Sequence, residues 1–244
     1  MKYFSGLVVC STIILGAAVA AQPPAPPVQR PVNGPVYLGL AANFAVLAGT
    51  QVTNTASATV INGDLGEWPI AVLPTGFTFS TSPGPGVLNG NRHIGTVTAE
   101  IAQAYLTIAY HDAAGRAPTA PPLVSAQNLA GLTFKPGVYK SATSLNITGG
   151  DVTLNGKGVY IFQMGSALTV NTVARVLLTG GAVASDVFWQ VGSSASLFTN
   201  SEFKGTILAN TSITLNNGPG TTMVGRALAR SGNVTLNFST ITLP

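Results

Sequence analysis

The chain has 244 residues, of which 46% are hydrophobic and only 7% are charged. This balance excludes an intrinsically disordered chain, which needs low hydrophobicity and high net charge. The polar surface must therefore come from Ser, Thr, Asn and Gly, and such a surface suits an uncharged partner. The formal net charge of +4 comes from scattered Lys and Arg residues, whereas nucleic-acid binding needs a concentrated basic patch.

The first 35 residues are predicted to lie outside the folded domain. Residues 1–21 are typical of a secretory signal, with Lys2 at the start, an apolar stretch and a small-residue cleavage site. The stretch is too short to span a membrane, so we expect a secreted, extracellular protein without membrane contact after signal removal. Residues 22–35 are rich in proline and predict an extended linker. The single cysteine, Cys10, lies in the signal, so the mature chain is expected to lack disulfides.

One helix is predicted over residues 98–114, within a folded domain that spans residues 36–244. Thr98 is the predicted N-cap, and Gly115 fits the position after the last helical residue. The apolar residues that recur at three- and four-residue spacing, and that define the predicted buried side, are Ile101, Tyr105, Ile108 and Ala109. Between residues 59 and 92 the chain is rich in Gly and Pro, which predicts long loops with short strands.

The chain from residue 135 onward repeats at a period of about 20 residues. Each repeat contains an apolar strand, a turn with Gly or Asn, and a second short strand in which apolar and polar residues alternate. The second strands are residues 168–170, 195–197, 213–215 and 234–236, and residues 52–54 fit the same unit. Repeats of this size stack so that each covers its neighbour's core. The sequence therefore predicts an all-β solenoid, a β-helix with one flanking α-helix.

The second strand of each repeat presents a polar side chain to the outside, because successive side chains alternate between the two sides of a strand. Leu168 and Val170 point inward, for example, and Thr169 between them points outward. Stacking aligns these positions into a central column with a flanking column on each side. The residues predicted to form this binding face are Gln51, Thr53, Thr55, Asn146, Thr169, Asn171, Ser194, Ser196, Ser212, Thr214, Asn216, Asn233, Thr235 and Asn237.

The first strand of each repeat has a different outward side. Its outward residues Ile161 and Phe188 are apolar and predict the seat of the helix. Thr206 and Arg226, at the equivalent positions of later repeats, predict partial exposure. The helix is therefore expected on one side of the solenoid and the polar columns on another.

The predicted binding face carries no charge. Its threonines are stiff at χ1, so their methyl and hydroxyl groups are held in place before any ligand arrives. With strands spaced at about 4.8 Å, the repeats form a regular grid that suits ordered water better than a charged or flexible ligand. β-Propensity alone also favours Thr on a solvated strand. Gln51, Ala167 and Phe198 interrupt the hydroxyl pattern.

Several motifs resemble, in the same order along the chain, the microbial ice-binding protein family, formerly a domain of unknown function. They fall within residues 36–244 and comprise residues 42–49 (ANFAVLAG), 60–66 (VINGDLG), 109–116 (AYHDAAGR), 136–139 (PGVY), 187–192 (VFWQVG) and 225–229 (GRALA). The resemblance implies a right-handed β-helix of triangular cross-section with a long helix beside it. It also implies that the amino-terminal turn docks beside the carboxy-terminal one, so that Thr53 extends the central column beyond Thr235.

The resemblance further implies that the partner is the surface of an ice crystal. A monomeric protein without a cofactor would adsorb to the crystal, pin its front and inhibit growth and recrystallisation, with no bond made or broken. Two alternatives stay open on the sequence: a secreted carbohydrate-binding or carbohydrate-active β-helix protein, and a surface adhesin module.

Enzymatic chemistry has little support in the sequence. A carbohydrate-active enzyme places two or three carboxylates together for acid–base work. Of the seven acidic residues only Asp64 and Glu67 are close in sequence, and Asp64 is interpreted as a turn former. His93 and His111 are isolated and have no ligand at metal-binding spacing. The sequence therefore predicts neither an enzyme nor a metal site.

Overall fold

A computed structural model describes residues 34–55, 58–79, 86–215 and 220–244. The predicted secretory signal and all but the end of the predicted linker lie outside these ranges. Within them, no helix is long and apolar enough to cross a membrane. The described residues form parallel sheets and one α-helix.

The helices are α1 (Val97–Gly115) and two short 3-10 helices, Gly39–Asn43 and Ala184–Asp186. The strands are β1 (Phe44–Ala48), β2 (Val52–Asn54), β3 (Val60–Asn62), β4 (Asp64–Glu67), β5 (Val87–Asn89), β6 (Arg92–Ile94), β7 (Gln127–Asn128), β8 (Thr133–Phe134), β9 (Gly137–Ser141), β10 (Leu145–Ile147), β11 (Val152–Asn155), β12 (Tyr160–Met164), β13 (Leu168–Val170), β14 (Val176–Thr179), β15 (Val187–Val191), β16 (Ala195–Leu197), β17 (Glu202–Ala209), β18 (Ile213–Leu215), β19 (Thr221–Ala229), β20 (Val234–Leu236) and β21 (Ser239–Thr242).

Three sheets share these strands, and each strand pairs in parallel with its neighbours. The seven-stranded sheet has the order β2-β20-β18-β16-β13-β10-β7, and the three-stranded sheet has the order β14-β11-β8. The largest sheet has eleven strands, with the path β5-β3-β21-β19-β17-β15-β12-β9 and a branch β1-β4-β6 in which β1 pairs with β19. From β9 to β16 the chain visits the largest, the seven-stranded and the three-stranded sheet in turn.

The eleven-stranded sheet divides into two surfaces at its long strands. The first half of β19 pairs with β21, and its second half pairs with β1. We call the surface made by β9, β12, β15, the second halves of β17 and β19, β1, β4 and β6 the covered face. The lateral face consists of the whole strands β8, β11, β14, β21, β3 and β5. The first halves of β17 and β19 lie between β14 and β21 and complete this face. The seven-stranded sheet is the open face.

Two glycines allow β17 and β19 to turn the corner between the covered and lateral faces without a loop. Gly205 has a φ of +108° and is paired with Gly225 on the neighbouring strand. A Cβ atom on Gly225 would lie 1.9 Å from the carbonyl oxygen of Gly205. Because only glycine tolerates this φ and this approach, the corner depends on both residues.

One hydrophobic core is shared by the three sheets. Phe162 of the covered face, Leu168 of the open face and Leu154 of the lateral face belong to the same buried cluster. The ring of Phe162 stacks on that of Trp189, with 4.3 Å between centroids. The Trp189 indole N–H donates to the carbonyl oxygen of Lys204 at 3.0 Å, so this buried polar atom is satisfied.

The predicted helix is present, but its amino-terminal cap was predicted wrongly. The N-cap is Thr96, whose hydroxyl accepts a hydrogen bond from the backbone N–H of Ala99 at 3.3 Å. Thr98 is exposed in the first turn, and Gly115 is the last helical residue rather than the one after it. Both threonines precede a helical pattern, and the extended backbone of Thr96 selects the earlier one.

The buried side of the helix also differs from the prediction. Ile101 and Ile108 are 39% and 48% exposed. The buried side is rich in small residues and consists of Ala99, Ala102, Gln103, Leu106, Ala109, Tyr110 and Ala113. Alanine lets the helix axis approach the sheet closely, so packing against the covered face outweighs the burial of the larger isoleucines.

The seat of the helix lies where the sequence predicted it. Ile161 and Phe188 are buried in one cluster with Leu106 and Ala109 of the helix. Thr206 was wrongly expected to be partly exposed, because it is 0% exposed in the next strand. The guanidinium of Arg226 lies over it, donating to the Thr206 hydroxyl at 3.4 Å and to a backbone carbonyl oxygen at 2.8 Å, and only Arg226 keeps partial exposure.

Candidate functional site

The open face presents one straight column of polar side chains. In each of its three-residue strands from β10 to β20 the first and last residues are buried and the middle residue is partly exposed. Strand β2 has the same pattern, with Asn54 in place of the last apolar residue. The paired register aligns the middle residues in the order Thr53, Thr235, Thr214, Ser196, Thr169 and Asn146.

The position of Thr53 places a strand from early in the described chain beside one from late in it. Strand β2 pairs with β20, so that Thr53 lies beside Thr235, as the family resemblance implied. The Thr53 hydroxyl donates to the Thr235 hydroxyl at 3.2 Å, and the Asn233 amide donates to the same oxygen at 2.8 Å. Residues 182 positions apart in the sequence therefore contribute to one continuous surface.

The residues predicted for the flanking columns lie on both sides of the central one. Before the strands, Gln51, Ser194, Ser212 and Asn233 are partly exposed, and the Ser194 hydroxyl is 2.8 Å from the Thr211 hydroxyl. After the strands, Thr55 is exposed, Asn171 and Asn237 are partly exposed, and Asn171 donates to the Thr148 hydroxyl at 3.0 Å. Asn216 lies outside the described residues.

Two residues of the column were missed in the sequence. Asn128 of β7 pairs with Asn146, and Thr75 forms an isolated parallel bridge with Thr53. The amide of Asn128 is occupied by the backbone of Thr148 and Ala130, so it ends the column rather than extending its free surface. Asn128 and Asn146 are each followed by an apolar residue, and this recurrence could have identified Asn128 from the sequence. The irregular segment around Thr75 contains no such recurrence.

The hydroxyls at the centre of the column are free to bind solvent or a ligand. Within the described residues, the hydroxyls of Thr169, Ser196 and Thr214 have no hydrogen-bond partner, whereas that of Thr235 has two. Each strand fixes the backbone of its hydroxyl residue by pairing on both sides. The centre of the face is therefore both rigid and unsatisfied.

The open face is neutral and long. None of its seven strands contains a charged residue. At the usual strand spacing, six steps between neighbouring strands give a column of about 29 Å. This surface offers no counter-charge to an ionic ligand, but it offers regularly spaced methyl, hydroxyl and amide groups.

A buried carboxylate lies at one end of the open face. Glu67 of β4 is 0% exposed and accepts a hydrogen bond from the backbone N–H of Val52, next to Thr53. Burial raises the pKa of Glu67 to about 7, and the bond from Val52 opposes this shift. Its second oxygen, Oε2, has no hydrogen-bond partner among the described residues. Glu67 thus connects the covered face to the first strand of the open face.

Three other acidic side chains and His93 have structural partners. Asp112 pairs with Arg116 at 2.9 Å and Asp151 with Arg175 at 2.7 Å, which holds the pKa of Asp151 below its usual value. His93 was predicted to be isolated, but its Nε2 atom lies 3.4 Å from the Asp64 carboxylate. In the described part of the chain, no group of three or more His, Cys, Asp or Glu side chains is arranged to hold a metal ion.

The prediction that Asp64 stabilises its own turn was wrong. Its carboxylate accepts a hydrogen bond from the backbone N–H of Asn91 at 2.8 Å and contacts the Asn91 amide at 3.2 Å. Asn91 lies 27 residues further along the chain, so Asp64 connects two neighbouring turns instead of stabilising its own.

Comparison with known proteins gives one consistent family. The family model described as "Ice-binding-like" matches residues 46–242. An ice-binding protein from Colwellia sp is 38% identical over 222 residues, which cover 86% of this chain and 84% of that protein. A crystal structure of an ice-binding protein from an Antarctic biological consortium is 45% identical, with a TM-score of 0.80, over 90% of this chain and 96% of that one. An ice-binding protein from the ascomycete Antarctomyces psychrotrophicus is 35% identical, with a TM-score of 0.77, over 86% and 98%.

Proposed function

Because this chain belongs to the ice-binding-like family, we propose that it adsorbs to ice through the open face and inhibits ice growth and recrystallisation. The observation that carries the proposal is the neutral column with free central hydroxyls at Thr169, Ser196 and Thr214. A charged ligand would find no counter-charge in the strands of this face. A crystal of water presents a rigid, neutral lattice of hydrogen-bond donors and acceptors.

The proposed mechanism is adsorption by a surface that is ordered in advance. Strand pairing on both sides holds the backbone of each threonine, and β-branching restricts the χ1 angle of its side chain. The side chain therefore loses little entropy on binding. The methyl groups favour removal from liquid water, and the hydroxyls replace hydrogen bonds of the ice lattice. A molecule held at many points then blocks the advancing crystal front. No covalent step is involved, so the protein is proposed to be a non-enzyme without a cofactor.

The finer description of the fold is also a proposal. We infer that the three sheets are the three sides of a right-handed β-helix with a triangular cross-section. The inference is supported by the parallel pairing, by the order in which the chain visits the sheets, and by their single core. A solenoid of this kind explains why equivalent residues of successive turns line up at the strand spacing.

Export and a monomeric state complete the proposal. Residues 1–21 have the charge and apolar pattern of a secretory signal, and export would bring the open face into contact with extracellular ice. The test is analysis of the amino terminus and of the molar mass of the secreted chain in solution. A chain that retains residues 1–21 in the cell would contradict the export proposal.

The function is tested by Thr214→Tyr at the centre of the open face. We expect loss of most of the thermal hysteresis and recrystallisation inhibition, because a bulky ring holds the flat surface away from the crystal. The matched control is Thr153→Tyr on the lateral face, where Thr153 also lies between two buried residues of its strand. Circular dichroism and the melting temperature should match the wild type in both variants.

Three results would refute parts of this proposal. A wild-type chain without thermal hysteresis would refute ice binding. Full activity of Thr214→Tyr with an unchanged fold would refute the open face as the adsorbing surface. Equal loss of activity in Thr153→Tyr would mean that the effect is not specific to the open face.

A further inference from the structure

A second neutral grid of side chains lies on the lateral face. In its outer four strands the outward residues form two columns, and every member is Thr, Val or Asn. The first column is Thr222, Thr240, Val60 and Val87, and the second is Val224, Thr242, Asn62 and Asn89. All eight are at least partly exposed. We call this set the neutral patch.

The polar atoms of the neutral patch are ordered by side-chain hydrogen bonds. The Asn89 amide donates to the Asn62 oxygen at 2.8 Å, and the Asn62 amide donates to the Thr242 hydroxyl at 2.9 Å. This chain of bonds crosses three strands and fixes two amide orientations. The patch therefore shares with the open face a regular register, β-branched side chains and positions that are set before binding.

The other half of the lateral face has a different character. There Asp151 pairs with Arg175 at 2.7 Å, and Glu202 and Lys204 occupy the equivalent outward positions of β17. These charged side chains lie in β17 or just before β11 and β14, whereas the outer four strands, from the first half of β19 to β5, contain no charged residue.

The neutral patch is continuous with the open face. The same two turns of the chain, residues 44–62 and 221–242, contribute strands to both surfaces. At the corner between them the buried Thr59 hydroxyl donates to the Asn54 side chain at 2.8 Å and accepts from the backbone N–H of Ser239 at 3.4 Å. Both bonds join the corner to β2 and β21, so the two surfaces are held at a fixed angle.

We propose that the neutral patch is a second ice-contacting surface, so that one molecule adsorbs to ice through either of two adjoining faces. The inference rests on the proposed function of the open face and extends it. Because the two surfaces meet at a rigid corner and have different residue patterns, each is expected to match a different set of crystal planes. The charged half of the lateral face takes no part, since desolvation of its ion pair and charges opposes contact with a neutral lattice.

The test is adsorption of fluorescently labelled protein to a single-crystal ice hemisphere, which identifies the planes that are bound. The variants are Thr240→Tyr in the neutral patch, Thr214→Tyr on the open face, and the two together. Thr153→Tyr, in the charged half of the lateral face, is the control and should label the same planes as the wild type. If Thr240→Tyr fails to fold, Thr240→Lys places a charge at the same solvated position.

The expected result is that Thr240→Tyr loses at least one plane that the wild type labels, while Thr214→Tyr retains that plane and the double variant labels none. Labelling by Thr240→Tyr that is identical to the wild type overturns the inference. So does complete loss of adsorption in Thr214→Tyr alone, and so does a solution dimer that Thr240→Tyr dissociates, which would assign the patch to a second copy of the chain. A wild type that labels no plane refutes the proposed function itself.

Discussion

The covered face and the open face are built from the same turns of the chain and differ in what their outward residues contact. On the covered face Ile161, Phe188 and Leu208 lie beneath the helix and are fully or almost fully buried. On the open face Thr169 and Ser196, in the same turns, remain partly exposed, and their hydroxyls have no hydrogen-bond partner in the described part of the chain. The parallel pairing and the inward apolar residues are common to both faces.

This comparison separates two tasks that one repeat performs. The inward side chains and the strand pairing hold the fold together, whichever face a strand belongs to. The outward side chains decide whether that face receives the helix or remains available to a partner. Substitutions on the covered face should therefore change stability, and substitutions on the open face should change adsorption.

The largest effect is expected for Phe188→Ala on the covered face. Loss of a fully packed phenylalanine leaves a cavity between the helix and the sheet, which costs about 3–5 kcal/mol of the free energy of unfolding. Ser196→Ala, in the same turn but on the open face, is the matched control and should change it by less than about 0.5 kcal/mol. Urea unfolding followed by circular dichroism measures both. Similar costs for the two variants would remove the distinction between the faces.

The next largest effect concerns Glu67, which connects the two faces. Burial raises the pKa of its carboxyl to about 7 in the folded chain, from an ordinary value of 4.5. As the pH rises from 4.5 to 7, the unfolded state releases its proton before the folded state does. Stability contributed by this group is therefore present below pH 4.5 and is lost up to about pH 7, by about 3 kcal/mol.

Glu67→Gln tests this directly. The neutral amide resembles the protonated acid and keeps the bond from Val52, so the variant should match the wild type below pH 4.5 and exceed its stability above pH 7. The quantity to measure is the difference in unfolding free energy between the two proteins from pH 4 to 8, which cancels the titration of other groups. A difference independent of pH would contradict the raised pKa.

A smaller effect is expected at the amino terminus of the helix that covers the covered face. Thr96→Ala removes the hydroxyl that caps the Ala99 N–H and should cost about 1 kcal/mol. Thr98→Ala, two residues later, should change stability by less than about 0.5 kcal/mol. Thermal unfolding of the two variants distinguishes them. Equal costs would mean that the first turn has no single cap.

The comparison of these two threonines also shows which structural features can be predicted from the sequence. Side chains in Leu168–Val170 alternate between the inside and the outside, so one inward residue determines the direction of its neighbours. The repeat then determines which residues of successive turns lie side by side. The central column from Thr235 to Asn146 follows from these local rules, whereas the place of Thr53 beside Thr235 was implied by the family resemblance. The choice between Thr96 and Thr98 depends on the path by which the chain enters the helix, which no local rule supplies.

The remaining errors have a tertiary cause. Hydrophobic spacing pointed to Ile101 and Ile108 as the buried side of the helix, but close approach to the sheet favours the small alanines. Thr206 is buried because the side chain of Arg226 lies over it. Thr75 reaches the column through a long irregular segment whose sequence has no period. Each of these depends on contacts between distant parts of the chain, which periodicity does not encode.

The smallest change in stability, and the finest test of the open face, is expected from Thr169→Val and Thr169→Ser. Neither removes a hydrogen bond within the described residues, so both should stay within about 0.5 kcal/mol of the wild type. Valine keeps the methyl group and the restricted χ1 angle and replaces the hydroxyl with a second methyl group, whereas serine keeps only the hydroxyl and rotates more freely. If rigid shape dominates adsorption, Thr169→Val retains more thermal hysteresis than Thr169→Ser. The reverse order would assign adsorption to the free hydroxyl, and the open face would then act as a hydrogen-bonding lattice rather than as a stiff surface.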